Sequence, residues 1–360
     1  MKKYHLASIP ADGIGPEVVA SSRKVLSALA EAHGGVEFEF RDFDWGSERY
    51  LKSGEMMPPD GVRQLERGGF DGILLGPVGS EKIPDHVTLW GLLIPIRQGL
   101  DQYVNLRPIR LLEGVDTPLR GRDHRSMDMV CVRENSEGEY SGVGGRVHAG
   151  KPEEVAIQAI VFTRSITERL IRFAFEWAKK HDRKRVTSVT KSNSMQFNMV
   201  FWDDVFQKIS AEYPEIATDK QLVDSMTVRM VDKPDTVDVF VASNLFGDIL
   251  SDLGAALSGS LGLAPSANLN PERAYPSLFQ AIHGSAFDLV GKDQANPIAS
   301  VWAAQLMLDF LGETELSTRL MHAIETVLKE GKVRTRDIGG RSSTTEMTEA
   351  LCRVVSGKGD

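Results

Sequence analysis

The sequence predicts an α/β fold of two domains with largely parallel strand pairing. Short apolar runs typical of buried strands alternate with longer helix-like runs along the chain. A strand followed by a helix usually pairs in parallel with the next strand, so this alternation favours an α/β architecture. The length of 360 residues exceeds that of one ordinary hydrophobic core and fits two domains, or two lobes that share a cleft.

The elements follow one another from the N-terminus. YHLASIP (4–10) is read as a strand, and the next segment as a helix that begins near Pro16 and ends near Gly34. Segment 144–162 interrupts the alternation and is predicted as an extended arm or hairpin, either an ordinary surface hairpin or a clasp between subunits. The other segments are FDGILLGPVG (strand, then glycine loop), MDMVCVRENSEGEY (strand, then polar loop), SITERLIRFAFEWAKKHD (helix), RVTSVTKSN (strand, then loop), TVDVFVASN (strand) and NPIASVWAAQLMLDFLG (helix).

Composition and charge exclude several function classes. The formal net charge is −8 and no basic patch stands out, which argues against a nucleic-acid partner. Two cysteines without a CxxC pair fit a reducing compartment, and the N-terminus lacks the apolar stretch of a signal peptide. The longest uncharged stretch, 253–271, is rich in Gly, Ser, Asn and Pro and makes a poor membrane helix. We therefore expect a soluble, cytoplasmic protein with no membrane or nucleic-acid partner.

Two carboxylates, Asp248 and Asp252, lie one helical turn apart in the run NLFGDILSDLG. This spacing places both on one helical face, near the carboxyl end of the preceding buried strand, where α/β proteins commonly bind ligands. Converging carboxylates repel each other unless a cation or proton joins them, and Mg²⁺ or Mn²⁺ suits their oxygens. Asp224 is another acid among apolar neighbours. The alternative is that Asp248 and Asp252 are ordinary exposed helix carboxylates.

Three arginines lie in or at the end of apolar runs: Arg97 in LLIPIRQGL, Arg107 in YVNLRP and Arg133 in VCVREN. A buried guanidinium needs an anionic partner, and arginine can bind carboxylates in bidentate geometry. Together the three arginines suggest a substrate with more than one carboxylate, although each alone can form a structural ion pair.

Tyr140 and Lys191 are the acid–base candidates, because each stands in a polar loop after a strand. A phenol or an ammonium beside a metal ion can have its pKa shifted toward neutrality, although either group can also be structural.

The glycine-containing loop HGSAFDLVGKDQAN (283–296) is the candidate nucleotide loop. DGIGPEV near the N-terminus resembles a dinucleotide fingerprint, but Val18 stands where a third small residue is required, so no Rossmann domain is predicted.

The motifs RENSEGEYSG, TKSN, SNLFGDILSDLG and HGSAFDLVGK followed by ANP occur in this order along the chain. This ordered set resembles the metal-dependent β-decarboxylating dehydrogenases, which include isocitrate and isopropylmalate dehydrogenases, over essentially the whole chain. The resemblance implies an isopropylmalate dehydrogenase-like, non-Rossmann fold with parallel or mixed sheets and an active-site cleft between two domains. It implies a larger domain of residues 1–103 plus 256–360, an inserted smaller domain of residues 104–255, and a homodimer clasped by segment 144–162.

The resemblance also assigns chemical roles. Tyr140 would protonate the carbon that is left after decarboxylation, and Lys191 of the partner subunit would assist removal of the substrate's hydroxyl proton. Hydride would pass to a nicotinamide. The binding residues that the resemblance implies are the metal ligands Asp248, Asp252 and, from the partner subunit, Asp224, and the substrate-carboxylate ligands Arg97, Arg107 and Arg133.

The predicted nucleotide is NAD, because by resemblance Asp288 can accept a hydrogen bond from the ribose 2′-hydroxyl and would repel a 2′-phosphate. NADP-using members of the family carry a basic residue at the matching position. Phe287 stands where relatives often have proline, which puts the conformation of the loop in doubt. K⁺ is a further expectation of the family that no motif here supports. The implied nucleotide-binding residues are His283, Gly284, Ser285, Ala286, Asp288 and Asn296.

The substrate is inferred from the helix ahead of Arg97, HVTLWGLLIPIRQ, which by resemblance faces the substituent on substrate C3. An isocitrate enzyme would offer a serine and an asparagine where Gly91 and Leu93 stand, and an isopropylmalate enzyme a glutamate where Trp90 stands. The indole of Trp90 would fill the space of an isopropyl group, so a small C3 substituent is predicted.

Together with APSANLNPER (264–273), this helix most resembles the D-malate and tartrate dehydrogenase branch of the family. The branch implies oxidation of D-malate to pyruvate and CO₂, and oxidation of tartrate. A 3-isopropylmalate dehydrogenase is the alternative within the family. A non-catalytic metal–carboxylate binding protein is the alternative from another class.

Overall fold

One ten-stranded sheet runs through the computed structural model, which describes residues 1–357. Helices cover this sheet, and the mixed α/β architecture confirms the predicted fold class. The strands are β1 (Lys2–Ile9), β2 (Val36–Asp42), β3 (Gly72–Leu75), β4 (Val104–Arg110), β5 (Asp128–Glu134), β6 (Gly144–Val147), β7 (Val155–Gln158), β8 (Arg185–Thr190), β9 (Ala217–Leu222), β10 (Val239–Ala242), β11 (Pro265–Leu269) and β12 (Ser277–Ala281).

The helices begin and end close to where the sequence places them. The first has Pro16 in its first turn and ends at Gly34, whose φ of 73° closes the helix in the left-handed region. None of the helices in the described chain is long and apolar enough to cross a membrane. The helices are α1 (Gly15–His33), α2 (Ser47–Ser53), α3 (Gly61–Arg67), α4 (Asp85–Thr88), α5 (Ile94–Gly99), α6 (Arg164–Lys180), α7 (Asn198–Ser210), α8 (Val223–Asp232), α9 (Asn244–Leu257), α10 (Ile298–Leu311), α11 (Thr314–Glu330) and α12 (Thr344–Val355).

The sheet is parallel at its flanks and antiparallel at its centre. Its order is β2-β1-β3-β12-β11-β4-β5-β10-β8-β9. The strands pair in parallel from β2 to β12 and again from β5 to β9. The three ladders between β12 and β5 are antiparallel. Parallel pairing is therefore confirmed at the flanks only, because β11 and β12 form a hairpin and β11 runs against β4.

The two halves of the sheet come from different parts of the chain. β1, β2, β3, β11 and β12 belong to residues 2–75 and 265–281, whereas β4, β5, β8, β9 and β10 belong to residues 104–242. The halves meet where β11 pairs with β4, with Ala267 opposite Leu106. This arrangement agrees with a domain built from both chain ends and an inserted middle domain, whose exact boundaries remain a prediction.

Segment 144–162 forms a hairpin in which β6 and β7 pair in antiparallel fashion outside the main sheet. Every residue of the two strands is exposed, including Val147, Val155 and Ile157. Exposed β-branched residues on an isolated two-stranded ribbon are unusual, because such a ribbon is barely stable alone in water.

The close approach of α9 to β5 depends on Gly247. A Cβ at Gly247 would lie 2.6 Å from Cγ of Arg133, which is closer than non-bonded carbon atoms approach. Arg133 belongs to β5 and Asp248 follows Gly247 in α9. Because Gly247 has no side chain, α9 can pack closely on β5, and Asp248 lies against Arg133.

The Gly247→Ala substitution is expected to lower the free energy of unfolding by about 1–3 kcal/mol, because the added methyl group overpacks the contact with Arg133. Alanine alone would favour the helix by about 1 kcal/mol, so the expected sign is opposite to that of helix propensity. Urea unfolding followed by circular dichroism measures the difference. A variant as stable as wild type would show that α9 does not pack this closely.

Candidate active site

The structure brings eight of the predicted residues together around one cavity of about 180 Å³, which we call the substrate cavity after the predicted substrate ligands that line it. Arg97 comes from α5, Arg107 from β4 and Arg133 from β5, so the arginines lie on both sides of the junction between the halves of the sheet. Gln280 and Ala281 at the end of β12 complete one wall. The eight predicted residues that line it are Leu93, Arg97, Arg107, Arg133, Tyr140, Asp248, His283 and Gly284.

Asp248 accepts hydrogen bonds from three other residues that line this cavity. Its Oδ1 accepts hydrogen bonds from Nη1 of Arg133 and, at 3.1 Å, from Nη1 of Arg107. Its Oδ2 accepts from the Tyr140 hydroxyl at 3.1 Å. Burial pushes the pKa of Asp248 upward, but Arg133, Arg107 and Arg97 outweigh it and hold the pKa below its ordinary value. Asp248 is therefore ionised at neutral pH.

Arg97, Arg107 and Arg133, the arginine cluster, are all buried. Arg133 donates to Oδ1 of Asn244 through Nε and Nη2, at 3.2 and 2.7 Å. In the described chain Nε of Arg97 has no hydrogen-bond partner. Burial, followed by repulsion from Arg133, lowers the pKa of both Arg97 and Arg107. An anion in the cavity would relieve this desolvated positive charge.

Asp252 lies at the outer edge of the same site. Nη1 of Arg107 lies 3.5 Å from its Oδ1, and the side chain is 56% exposed. Burial of part of the carboxyl raises its pKa. Both acids of α9 thus meet the Arg107 guanidinium, and their oxygens are of the type that Mg²⁺ and Mn²⁺ prefer.

Asp224 and Lys191 lie away from this cavity. Asp224, in the first turn of α8, forms a salt bridge with Nζ of Lys191, and neither residue lines the substrate cavity. Within residues 1–357, no three acidic, histidine or cysteine side chains form a group that could hold a metal ion. Within the described residues of one chain, Asp224 therefore does not form a three-ligand group with Asp248 and Asp252, and its role as a metal ligand stays a prediction.

Tyr140 is a protonated phenol. Burial raises its pKa, and the neighbouring Asp248 carboxylate raises it further. From the sequence, the pKa of Tyr140 is predicted to shift toward neutrality beside a metal ion. In the chain alone the pKa shifts in the opposite direction. A protonated hydroxyl that already donates to Asp248 is suited to supply a proton.

Two glutamates that sequence reasoning missed fix the loop that ends at Tyr140. Oε1 of Glu134 accepts from the backbone N–H of Ser136 at 2.7 Å, which folds the loop back on the end of β5. Oε2 of Glu139 accepts from the backbone N–H of Leu245 at 3.0 Å, so a carboxylate sits at the N-terminus of α9. The density of acids in RENSEGEY next to a buried strand is the signal that would have indicated buried anchors.

A larger cavity of about 690 Å³, the nucleotide cavity, adjoins the first one. His283 and Gly284 line both cavities. Arg336, which sequence reasoning did not single out, lines the nucleotide cavity as well. Ser285, in the same loop, is buried, and its hydroxyl donates to the carbonyl of Gly79 at 3.1 Å. The predicted residues that line the nucleotide cavity are His283, Gly284, Ala286, Asp288 and Asn296.

His283 is placed where the two cavities meet. Burial lowers its pKa, so the ring is neutral at neutral pH. Nδ1 lies 3.0 Å from the carbonyl oxygen of Gly284, whereas Nε2 is buried without a hydrogen-bond partner in the described chain. A buried, unsatisfied ring nitrogen suits a polar group of a bound ligand.

The DGIGP segment supports the nucleotide loop. The backbone N–H of Ile14 donates to the carbonyl of Ser285 at 2.9 Å. Gly13 has a φ of 56°, and a Cβ there would lie 1.9 Å from that carbonyl oxygen. The glycine is therefore needed for close packing against the nucleotide loop, a contact that the sequence analysis did not expect.

Trp90 and Leu93 take different positions. Both belong to the π-helical turn Leu89–Leu93, which joins α4 to α5. Leu93 lines the substrate cavity, whereas Trp90 is 39% exposed and does not line it. The indole of Trp90 packs on Gly142, where an added Cβ would lie 2.6 Å from Cη2 of the ring. Trp90 thus packs against the loop that follows Tyr140.

Comparison with known proteins connects this geometry with named enzymes. Residues 5–351 match the family described as isocitrate/isopropylmalate dehydrogenase. A probable tartrate dehydrogenase/decarboxylase of Agrobacterium vitis is 52% identical over 99% of each chain. The D-malate dehydrogenase [decarboxylating] of Escherichia coli is 48% identical over 99% of each chain. A crystal structure of isocitrate dehydrogenase from Methylococcus capsulatus superposes with a TM-score of 0.88 at 34% identity, over 99% of this chain and 100% of that one.

The Gly13→Ala substitution is expected to weaken binding of the predicted nucleotide, NAD, about tenfold or more, because the methyl group would displace the backbone of Ser285. Isothermal titration calorimetry measures the dissociation constant directly. Gly34→Ala is the matched control, since Gly34 also has a left-handed φ of 73° but has no atom within 4 Å of the added methyl. Equal loss of affinity in both variants would show that backbone strain alone is responsible.

Proposed function

The chain belongs to the isocitrate and isopropylmalate dehydrogenase family, and we propose that it oxidises tartrate and D-malate, converting D-malate to pyruvate and CO₂. The observation that carries the proposal is the arginine cluster around Asp248, a buried cationic pocket beside a nucleotide-sized cavity. Close relatives named tartrate dehydrogenase/decarboxylase and D-malate dehydrogenase support a small dicarboxylic substrate. They favour it over 3-isopropylmalate.

The arginine cluster would bind the two carboxylates of the substrate and orient its C2–H toward the nucleotide cavity. When bound, NAD would accept the hydride, and Mg²⁺ or Mn²⁺ would polarise the hydroxyl and ketone oxygens. Lys191 of the partner subunit would assist removal of the hydroxyl proton, and Tyr140 would donate a proton to C3 after loss of CO₂. The hydrogen bond from Tyr140 to Asp248 holds the phenol in the cavity until the substrate arrives.

The choice of NAD is supported by Asp288, which lines the nucleotide cavity. Its carboxylate would accept a hydrogen bond from a ribose hydroxyl and repel a 2′-phosphate. Arg336 carries the opposite charge in the same cavity, so NADP is the necessary comparison in any assay.

The two cysteines, Cys131 and Cys352, are free, which supports the proposed cytoplasmic location.

A homodimer with shared active sites is part of the proposal. The exposed hairpin β6–β7 would pair with its copy, because its apolar residues have no cover in one chain. Val228 of α8 is 65% exposed and Ile249 of α9 is 53% exposed. Packing of α8 on α9 of the partner would cover both and carry Asp224 and Lys191 toward the partner's Asp248. The third metal ligand would then come from the second chain.

The proposed function is tested by initial rates of NADH formation with Mn²⁺ and K⁺ present, compared among D-malate, L-tartrate, meso-tartrate and 3-isopropylmalate. We expect turnover of D-malate or a tartrate, little with 3-isopropylmalate, little with NADP⁺, and none after removal of the divalent ion with EDTA. Preference for 3-isopropylmalate would reject the small-substrate proposal and leave the metal and arginine assignments intact.

The Tyr140→Phe variant is the control that separates binding from chemistry. It removes the proton donor but keeps the ring, so D-malate should still bind while turnover falls by about a hundredfold or more. Binding of D-malate by the wild type without any NADH formation would instead indicate a non-catalytic binding protein.

Shared sites predict complementation between two inactive variants. Lys191→Ala and Asp248→Asn are each expected to inactivate the enzyme. When the two chains are unfolded together and refolded, mixed dimers would contain one intact site, which restores about a quarter of wild-type activity. The rate of NADH formation by the refolded mixture measures the restored activity. Each variant refolded alone is the control, and a mixture that stays inactive would place all the catalytic groups of a site in one chain.

A further inference from the structure

Asn105 is a fully buried amide in the middle of the sheet. It belongs to β4, next to the junction with β11, and none of its surface is exposed. Asparagine is disfavoured in strands, and a buried amide is costly unless every polar atom is satisfied. Its presence at this position therefore requires an explanation beyond packing.

All four hydrogen-bonding positions of the Asn105 amide are used. Oδ1 accepts from Nε of Arg107 at 3.1 Å and from the hydroxyl of Ser266 at 2.8 Å. Nδ2 donates to Oδ1 of Asn135 and Oδ1 of Asn268, both at 3.0 Å. The amide group cannot rotate without losing at least two of these bonds.

We propose that Asn105 is a positioning residue that fixes the guanidinium of Arg107 for a substrate carboxylate. Asn105 and Arg107 are two residues apart on one strand, so their side chains share the face of the sheet that carries the substrate cavity. Nε of Arg107 is bound by Asn105 and Nη1 by Ser251 at 2.7 Å. With both ends of the planar group held, its orientation is set before a ligand binds.

The same amide connects Arg107 with other parts of the site. Asn135 stands in the loop that leads to Tyr140, and its Nδ2 donates to the carbonyl of Gln102 at 2.7 Å. Asn268 belongs to β11, in the other half of the sheet, and its Nδ2 donates to the carbonyl of Leu278 at 3.2 Å. Asn105 therefore links the substrate arginine to elements from both halves of the sheet.

This inference rests on the proposed function, so D-malate binding and turnover by the wild type are measured first. In Asn105→Ala we expect the KM for D-malate to rise roughly tenfold to a hundredfold, because a buried hydrogen bond to a charged group is lost. The KM for NAD should stay within about twofold, since none of the four hydrogen-bond partners of Asn105 lines the nucleotide cavity. Calorimetry of D-malate binding gives the same comparison without turnover.

Asn270→Ala is the matched control. Asn270 is also buried and asparagine, and it donates to the carbonyl of Asp101 at 3.0 Å without contacting Arg107. It should lower the unfolding midpoint as Asn105→Ala does, but leave the KM for D-malate unchanged.

If Asn105→Ala fails to fold, Asn105→Ser replaces it, since its shorter side chain also cannot reach Nε of Arg107. A KM for D-malate in the variant equal to that of wild type or of Asn270→Ala would overturn the proposal. Wild-type protein that neither binds nor oxidises D-malate would reject the proposed function instead.

Discussion

Three buried guanidinium groups converge on one carboxylate, and the rest of the site is arranged to make this tolerable. Asp248 accepts from Arg107 and Arg133, but it cannot balance the charge of the whole cluster. A buried charge without a full counter-charge costs several kcal/mol even after relaxation of its surroundings, on the order of the net stability of a domain. An anionic ligand in the cavity would offset this cost. The same unbalanced charge would therefore supply binding energy and orientation for a dicarboxylate.

The scaffold that carries these charges is the antiparallel centre of the sheet. β4 and β5 present Arg107 and Arg133 on adjacent strands, while Arg97 arrives on a helix from the half that contains both chain ends. A ligand that contacts all three arginines therefore contacts both halves of the molecule. The nucleotide loop follows β12, two strands away from β4, so the order of the strands also sets the two cavities side by side. Movement of one half against the other would change the arginine cluster and the approach of the nucleotide together.

Local patterns in the sequence predicted the parts of this arrangement that depend on local spacing. The four-residue interval between Asp248 and Asp252 placed both acids on one face, and the arginines in apolar runs pointed to a buried anion site. The α/β alternation predicted the fold class, yet the antiparallel ladders at the centre were not visible, because hydrophobic periodicity carries no information about strand direction.

The missed residues share a different feature, since their roles arise from contacts between distant segments. Glu139 matters because its carboxylate reaches the start of α9, and Gly13 because the backbone of Ser285 passes over it. Asn105 matters because four partners from three segments of chain converge on it. Trp90 contacts the loop after Tyr140 rather than lining the cavity, which the helix sequence alone did not reveal.

Under the proposed shared site, the salt bridge between Lys191 and Asp224 would satisfy these two groups in a single chain. Each group neutralises the other at the surface, where an exposed ion pair contributes little to stability. Asp248 is likewise satisfied by arginines of its own chain. Under that proposal each half-site would be satisfied within its own chain, and a partner chain would exchange only one weak surface ion pair for contacts with a metal ion and a substrate. Because that exchange would cost little, assembly and ligand binding could both favour the complete site without requiring either half to unfold.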